Sequence, residues 1–505
     1  MRDLHDILLI ACYELGHQPL ALASPLALLS EAGYQAKAVD LSVEWLDEDS
    51  IRRAKFIAIS VPMHTALRIG EGAARRIRQI NPQAHTCFYG HYAWLNKEQL
   101  LKIGDSIIAG EFEEPLLDLI RSLEGNNGKR GNKGKGFVEG VTTREHHSDP
   151  YLRRLRFITP QRDTLPLPEK YAHYIDGDQQ RIAGYTEATR GCLHTCLHCP
   201  ITPIYNGRFF VVPFEVVMAD IRQQVSAGAT HITFGDPDFL NGPKHSLKIV
   251  RALHSEFPHI TFDFTAKVEH LIEQQESLHK FKECGCTFVV SAFESFSDEV
   301  LARLNKGHTR DQIFEAIGVM RRVGIPIRPS LVAFTPWTTL DDYLDLLNCI
   351  RDLNLVEAVD PIQYSIRLLV PPHSALVEQS IVIPSPEGAR NLFDSPIDSS
   401  SHPSTARENH RAPLRTLLGM TASWIDDLDQ KHYTYHWTHH DPRMDELHRA
   451  VSKRVEEAAA TAEDIGITFE SICALAYQTE GLTLPMFENL SPSAPIPRLS
   501  EAWFC

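Results

Sequence analysis

Two blocks of this chain alternate short apolar runs with segments long enough to form helices, and that alternation limits the fold more than any other feature. In the first block the runs are DILLIA, AKAVDL, KFIAISV, HTCFYG and DSIIAG, with helical patterns such as PLALLSEAGY and GEGAARRIRQI between them. Strands spaced by helices form a parallel sheet covered on both faces, because a parallel neighbour is reached only through a crossover. Ligands of such sheets bind at the carboxyl ends of the strands, here the turns at 12–17, 62–65 and 90–92.

The second block opens with GYTEATRG and continues through ATHITFGD, ITFDFTA, CTFVVSAFE, IPIRPSLVAF and PIQYSIRLLV. Six strand–helix units of this spacing predict a partial (β/α)6 barrel of the TIM type, with chemistry at the carboxyl ends of its strands. The interval from EGNNGKRGNKGKG (124–136) to LPLPEKY (165–171) reads as a flexible loop and linker. Residues 379–412 are rich in Ser, Pro and Asp; helical periodicity returns in DELHRAVSKRVEEAAATAEDIG. The fold class is therefore α/β: a Rossmann-like domain (1–123), loop and linker (124–178), a partial barrel (179–378) and a mainly helical C-terminal region (379–505).

Fifty basic against 65 acidic residues give a net charge of -15, which repels phosphate backbones and anionic membranes. Nucleic acid and membrane are excluded as expected partners. No apolar run reaches the roughly 20 residues that span a bilayer, and the start of the chain lacks a signal-peptide pattern, so a cytoplasmic location is expected. In a reducing compartment ten cysteines do not read as a disulfide framework.

Three of the ten, Cys192, Cys196 and Cys199, form a CxxxCxxC triad just after the first strand of the second block. Thiolates so spaced can surround one iron–sulfur cluster, and three ligands leave one iron open, as a substrate-binding centre requires. The alternative is a non-catalytic module with structural zinc, His194 or His198 being the fourth ligand; no second CxxC pair occurs. Cys284, Cys286 and Cys473 read as small buried hydrophobes. KHYTYHWTHHD (431–441) reads as aromatic packing with surface imidazoles, a metal or substrate site being the alternative.

At the triad the sequence resembles the radical S-adenosylmethionine (SAM) superfamily, over about residues 180–370. The resemblance implies a [4Fe-4S] cluster that binds SAM, an electron donor such as flavodoxin or ferredoxin, and reductive carbon–sulfur cleavage. By the same resemblance, His198 packs on adenine and Glu294 in SAFES binds SAM ribose with Ser291 beside it. Lys267 in FTAKVEHL faces the SAM carboxylate as a point charge. The edge that receives the methionyl ammonium reads Phe234-Gly235-Asp236-Pro237-Asp238, departing from the family's GGE, so Gly235, Asp236 and Asp238 become the candidates there.

The N-terminal block resembles the cobalamin-binding domain that precedes many such barrels, most clearly in GEFEE (110–114). It lacks the D-x-H-x-x-G of proteins whose histidine ligates cobalt, which leaves cobalamin binding and a scaffold that only closes the barrel both open. RLSEAWFC (498–505), FTPWTT (334–339) and IRLLVPP (366–372) resemble radical SAM proteins with Cys- or selenocysteine-bearing tails, the arsinothricin-type group. That resemblance implies transfer of the 3-amino-3-carboxypropyl group of SAM to trivalent arsenic, with arsenite as the small-molecule substrate and Cys505 as a reactive thiolate. Cobalamin-dependent methyl transfer and 5′-deoxyadenosyl radical chemistry on a small molecule are the alternatives.

Overall fold

The computed structural model describes residues 3–4, 6–125, 137–377, 424–485 and 496–501. Most of the glycine-rich loop, the Ser/Pro-rich stretch at 379–412 and Cys505 lie outside the described residues.

The first apolar runs form β1 (Ile7–Ala11), β2 (Lys37–Asp40), β3 (Phe56–Ser60), β4 (His85–Tyr89) and β5 (Ser106–Ile108). With β6 (Val141–Thr143) they make one sheet in the order β2-β1-β3-β4-β5-β6, parallel except for β6. ILLIA is apolar at every position because both faces are covered. Ile7, Leu9 and Ala11 meet residues of helices Leu20–Glu31 and Glu113–Leu123, while Leu8 and Ile10 pack with those of His64–Ile80. The strand order reverses between β1 and β3, which makes their carboxyl ends the binding edge.

The second sheet contains β7 (His173–Asp176), β8 (Gln179–Thr186), β11 (His231–Phe234), β12 (Thr261–Ala266), β13 (Cys286–Glu294) and β14 (Ile327–Leu331). Its order is β14-β13-β12-β11-β8-β7, with the two-residue strand Arg498–Leu499 beyond β7. The run β8 to β14 is parallel and curls into a partial barrel. Val289, Phe293 and Leu331 face the helical layer, and Ala183, Phe288 and Val290 face the lumen with Tyr174 and Leu499. Helices Arg310–Val323 and Leu340–Asp352 start at capping boxes, Thr309 with Gln312 and Thr339 with Asp342.

Two expectations change. PIQYSIRLLV is not a full sixth strand: Pro361–Ser365 is a 3-10 helix, and the strand survives as one bridge between Phe334 and Arg367. Pro361 fixes φ and removes a ladder donor at the start of that run. The stretch read as a linker supplies a strand to each sheet, the edge strand β6 to the first and β7, between β8 and Arg498–Leu499, to the second.

Toward the C-terminus, helices Pro442–Thr461 and Ile465–Glu480 pack on each other, the first also on Pro361–Ser365 and the second on Leu340–Asp352. In KHYTYHWTHHD the aromatics Tyr433, Tyr435 and Trp437 are buried, the Trp437 indole donating to the Leu368 carbonyl at 2.9 Å, while His432 and His436 pair with Asp429. Cys284, Cys286 and Cys473 are buried, their thiols pushed up by burial. Among the described residues, no helix is long and apolar enough to cross a membrane.

Candidate active site

The cysteine triad sits in a loop whose base is closed by a short antiparallel ladder between β9 (Thr189–Gly191) and β10 (Phe209–Val211). Gly191 has φ +79°, and a Cβ there would meet the Arg208 carbonyl and the Tyr205 ring at 2.5 Å, so the ladder closes only around glycine. The Cys192 amide donates to the Arg208 carbonyl, and Thr202 Oγ1 donates to the Cys196 carbonyl at 2.8 Å. From the barrel side, the Leu304 carbonyl accepts from the Leu197 amide at 2.9 Å, and Asn305 donates to the Thr195 carbonyl. Cys192 and Cys196 are buried and Cys199 is partly so.

Burial pushes the Cys192 thiol up to about 11 and the Cys199 thiol up to about 12, and the neighbouring triad sulfurs add to each shift. Thiols held this way shed their protons when cationic iron binds them. The donor set fits a cluster better than zinc. The Nε2 atoms of His194 and His198 lie 3.5 and 3.3 Å from carboxylates of Asp238 and Glu294. A zinc tetrahedron with bonds of about 2.0–2.3 Å brings its donors within about 4 Å of one another. Among the described residues, the donors grouped within 4.8 Å are His194, Asp238 and His270, without a cysteine.

The strand ends around the loop carry the remaining candidates. Glu294 ends β13 with φ +64° and is buried. Burial would raise its carboxyl, but Lys306 Nζ at 3.1 Å and His198 at 3.3 Å outweigh that and bring it to about 2. Glu294 is therefore an ionised acceptor. Its pairing with Lys306 is the structural ion pair that also explains a buried acid, while Arg328 pairs with Asp360 instead.

Asp236 is turned toward the cluster loop, where it accepts from the Ala188 amide at 2.9 Å and the Thr189 hydroxyl at 2.5 Å. Burial raises its carboxyl to about 7. Asp238 caps the turn at Phe239–Asn241 through the Leu240 amide and receives His270 Nδ1 at 2.7 Å. Burial opposes ionisation of Asp238, yet the two histidines hold its carboxyl below the ordinary value. Gly235 is required by close packing, since a Cβ would lie 2.0 Å from Tyr185 Oη.

Two further candidates have surroundings that the sequence did not indicate. Lys267 Nζ is engaged by Glu269 at 2.8 Å and by the Lys306 carbonyl at 2.5 Å. Ser291 is buried on the same side of β13 as Val289 and Phe293, and its hydroxyl has no hydrogen-bond partner. Cys505 lies outside the described residues.

Sequence reasoning missed Glu269, His270 and His308, and named Lys306 only as a partner for Glu294. The stretch NKGH (305–308) reaches the cluster loop, Glu294 and Lys267 together. Its one legible signal is a lysine beside Gly307, whose φ is +81°.

Buried polar atoms without hydrogen-bond partners gather here, His198 Nδ1, Asn241 Nδ2 and His308 Nε2, while His308 Nδ1 and Glu269 Oε2 face each other at 3.6 Å. Such atoms suit a polar ligand, here SAM. The carboxyl edge of the first sheet has its own, Glu14 Oε1, His17 Nδ1 and Ser60 Oγ, which fits a polar group such as cobalamin between the domains. His17 stacks on Tyr185 of β8 at 4.3 Å, so the binding edge of the first sheet faces the end of the first barrel strand.

Residues 186–350 match the radical SAM superfamily and residues 7–120 the B12 binding domain. The first match implies a [4Fe-4S] cluster and SAM, and the second implies cobalamin. Hopanoid C-3 methylase of Methylococcus capsulatus is 24% identical over 330 residues, covering 63% of this chain and 62% of that protein. A ribosomal protein uS12 methylthiotransferase of Parabacteroides distasonis is 23% identical over 279 residues, 48% of this chain and 60% of its own length. The chain thus spans less than two thirds of these relatives.

Among solved structures, the cobalamin-dependent SAM radical enzyme OxsB, with aqua-cobalamin and SAM bound, aligns with TM-score 0.65 at 14% identity, over 92% of this chain and 71% of that one. The radical SAM methyltransferase TsrM of Kitasatospora setae aligns with TM-score 0.57 at 15% identity, over 77% of this chain and 81% of that one. At these identities the likeness is one of fold: a B12-type α/β domain followed by a radical SAM barrel.

Proposed function

We propose that this chain, a radical SAM domain joined to a B12-binding domain, is a cobalamin-dependent enzyme that methylates a small molecule. When bound, the cluster supplies an electron for carbon–sulfur cleavage of SAM, and cobalamin supplies a methyl carrier. Cys192, Cys196 and Cys199 would hold the cluster. Glu294, His198 and the backbone at Gly235 would hold SAM, and Glu14, His17 and Ser60 lie where cobalamin would sit. Asp236 and Asp238 orient the cluster loop through Ala188, Thr189 and His194. Lys267 acts through Glu269 and the Lys306 carbonyl, fixing the loop that carries Lys306.

One observation carries the reading: the carboxyl ends of the two sheets meet, with His17 on Tyr185 and Glu111 on Tyr205. Two cofactor-binding edges then face one another, so that cofactors held on them would lie close together. The relatives' names, methylase and methylthiotransferase, favour methyl transfer over aminocarboxypropyl transfer to arsenic. The arsenic reading rests on a tail whose Cys505 is outside the described residues.

Mass spectrometry of SAM-derived products from the anaerobically reconstituted protein tests the proposal. Cobalamin-dependent formation of S-adenosylhomocysteine is expected. Methylthioadenosine stimulated by arsenite, and lost in Cys505→Ser, restores the arsenic reading; 5′-deoxyadenosine alone, indifferent to cobalamin, removes the methyltransferase assignment.

A further inference from the structure

The GEFEE segment of the first domain reaches across to the cluster loop. Glu111 Oε1 accepts from the Tyr205 hydroxyl at 2.8 Å, and Glu113 Oε1 accepts from Arg190 at 2.5 Å. Arg190 also approaches Glu111 at 3.3 Å, donates to Ser24 Oγ at 3.3 Å, and pairs with Glu187. Its guanidinium carbon lies 5.6 Å from the Phe112 ring centre and 5.3 Å from that of Phe157. Arg190 belongs to β9, just before Cys192, and Tyr205 lies just beyond Cys199, so the contacts grip the loop on both sides of the triad.

The side chains of Glu111, Glu113 and Arg190 are 0%, 9% and 11% exposed. Burying several carboxylates around one guanidinium is costly, and apolar residues of similar volume usually stabilise an interface at least as well. What such a network adds is register: a guanidinium forked between fixed acceptors tolerates one geometry. Gly110 supports it, since φ +79° turns the chain there and a Cβ would meet the Tyr151 carbonyl at 2.4 Å.

We infer that Glu111, Glu113, Arg190 and Tyr205 are positioning residues through which the first domain sets the geometry of the cluster loop. The inference rests on reading Cys192, Cys196 and Cys199 as cluster ligands. Removing one arm leaves the fold of each domain and frees one side of the loop. The cluster then becomes more labile and its electronic surroundings change.

Glu113→Gln, Tyr205→Phe and the double variant are reconstituted anaerobically beside the parent and a Glu114→Gln control, whose residue instead accepts from Tyr151. Each preparation is followed by iron loss to a chelator, by the electron paramagnetic resonance spectrum of the reduced cluster, and by its melting temperature. Each single variant is expected to lose iron about tenfold faster, the equivalent of about 1.4 kcal/mol. The double variant loses it faster still, spectra shift in the loop variants, and the control behaves as the parent. Tyr205→Phe deletes one hydroxyl and preserves the packing, so it reports even if Glu113→Gln misfolds. Parent-like iron loss and spectra in Tyr205→Phe overturn the inference, as does iron loss that merely tracks melting temperature. A parent that takes up no iron overturns the cluster reading and the inference together.

Discussion

Replacing Lys306 by Met removes the ammonium that lies 3.1 Å from the Glu294 carboxylate and leaves a hydrophobic side chain of similar length. Both side chains of the pair are 3% exposed, so Glu294 cannot recover its solvation. Breaking one side of a buried ion pair costs about 3–5 kcal/mol. At about 2–4 °C per kcal/mol for a unit of this size, the melting temperature of the barrel falls by on the order of 10 °C. The pH dependence fixes the cause. In the parent the Glu294 carboxyl is brought from 4.5 to about 2, a depressed acid. Its stabilising contribution is complete above about pH 4.5 and disappears as pH falls toward 2. Without Lys306, burial is opposed by His198 with less help, the carboxyl rises, and protonation relieves the variant. The deficit measured by thermal unfolding of the apoprotein is thus larger at pH 7.5 than at pH 5, and Glu294→Gln in the same chain recovers most of it. A Lys306→Met protein that melts within a degree or two of the parent at pH 7.5, or whose deficit grows as pH falls, refutes the reasoning.

Asp236 gives a slope of the opposite sign: its carboxyl is raised to about 7, so the folded state holds a proton that the unfolded state has lost above 3.8. Stability falls as pH rises across that window, by at most about 1.4 kcal/mol per pH unit, and denaturant titrations of Asp236→Asn should show a flatter profile. Gly235→Ala drives a methyl group into Tyr185 and is expected to destabilise by about 1–3 kcal/mol, read as a lower denaturation midpoint with unchanged slope. Ser60→Ala is expected to weaken cobalamin binding several-fold in an absorbance titration, since a hydrogen bond is worth about 0.5–1.5 kcal/mol. Unchanged affinity would remove Ser60 from that edge.

The architecture was legible where periodicity carries it. ILLIA and its counterparts are apolar throughout because both faces of the sheet are covered, and that pattern survives without tertiary information. The sixth barrel strand was misread because Pro361 decides against a ladder that the apolar content of the run suggests. In the site, the triad was visible from spacing and Glu294 from its strand end. The surroundings of Lys267 and Ser291 were not legible for two physical reasons. Whether an ammonium is already engaged depends on residues far away in sequence, here the Lys306 carbonyl. Which face a strand residue presents depends on register, and β13 carries an irregularity between Ala292 and Glu294. His270 and His308 were not singled out because nothing in their own neighbourhoods marks them; they join the site through Asp238 and Glu269.

In the proposed function, Cys192, Cys196 and Cys199 would hold a cluster with one iron open to SAM. Iron analysis and electron paramagnetic resonance of the anaerobically reconstituted, reduced protein test it most directly. About four iron atoms per chain are expected, with a signal that changes on adding SAM, and loss of both in a triple Cys→Ala variant. A protein that binds one zinc and no iron, or a cluster whose spectrum is indifferent to SAM, contradicts it.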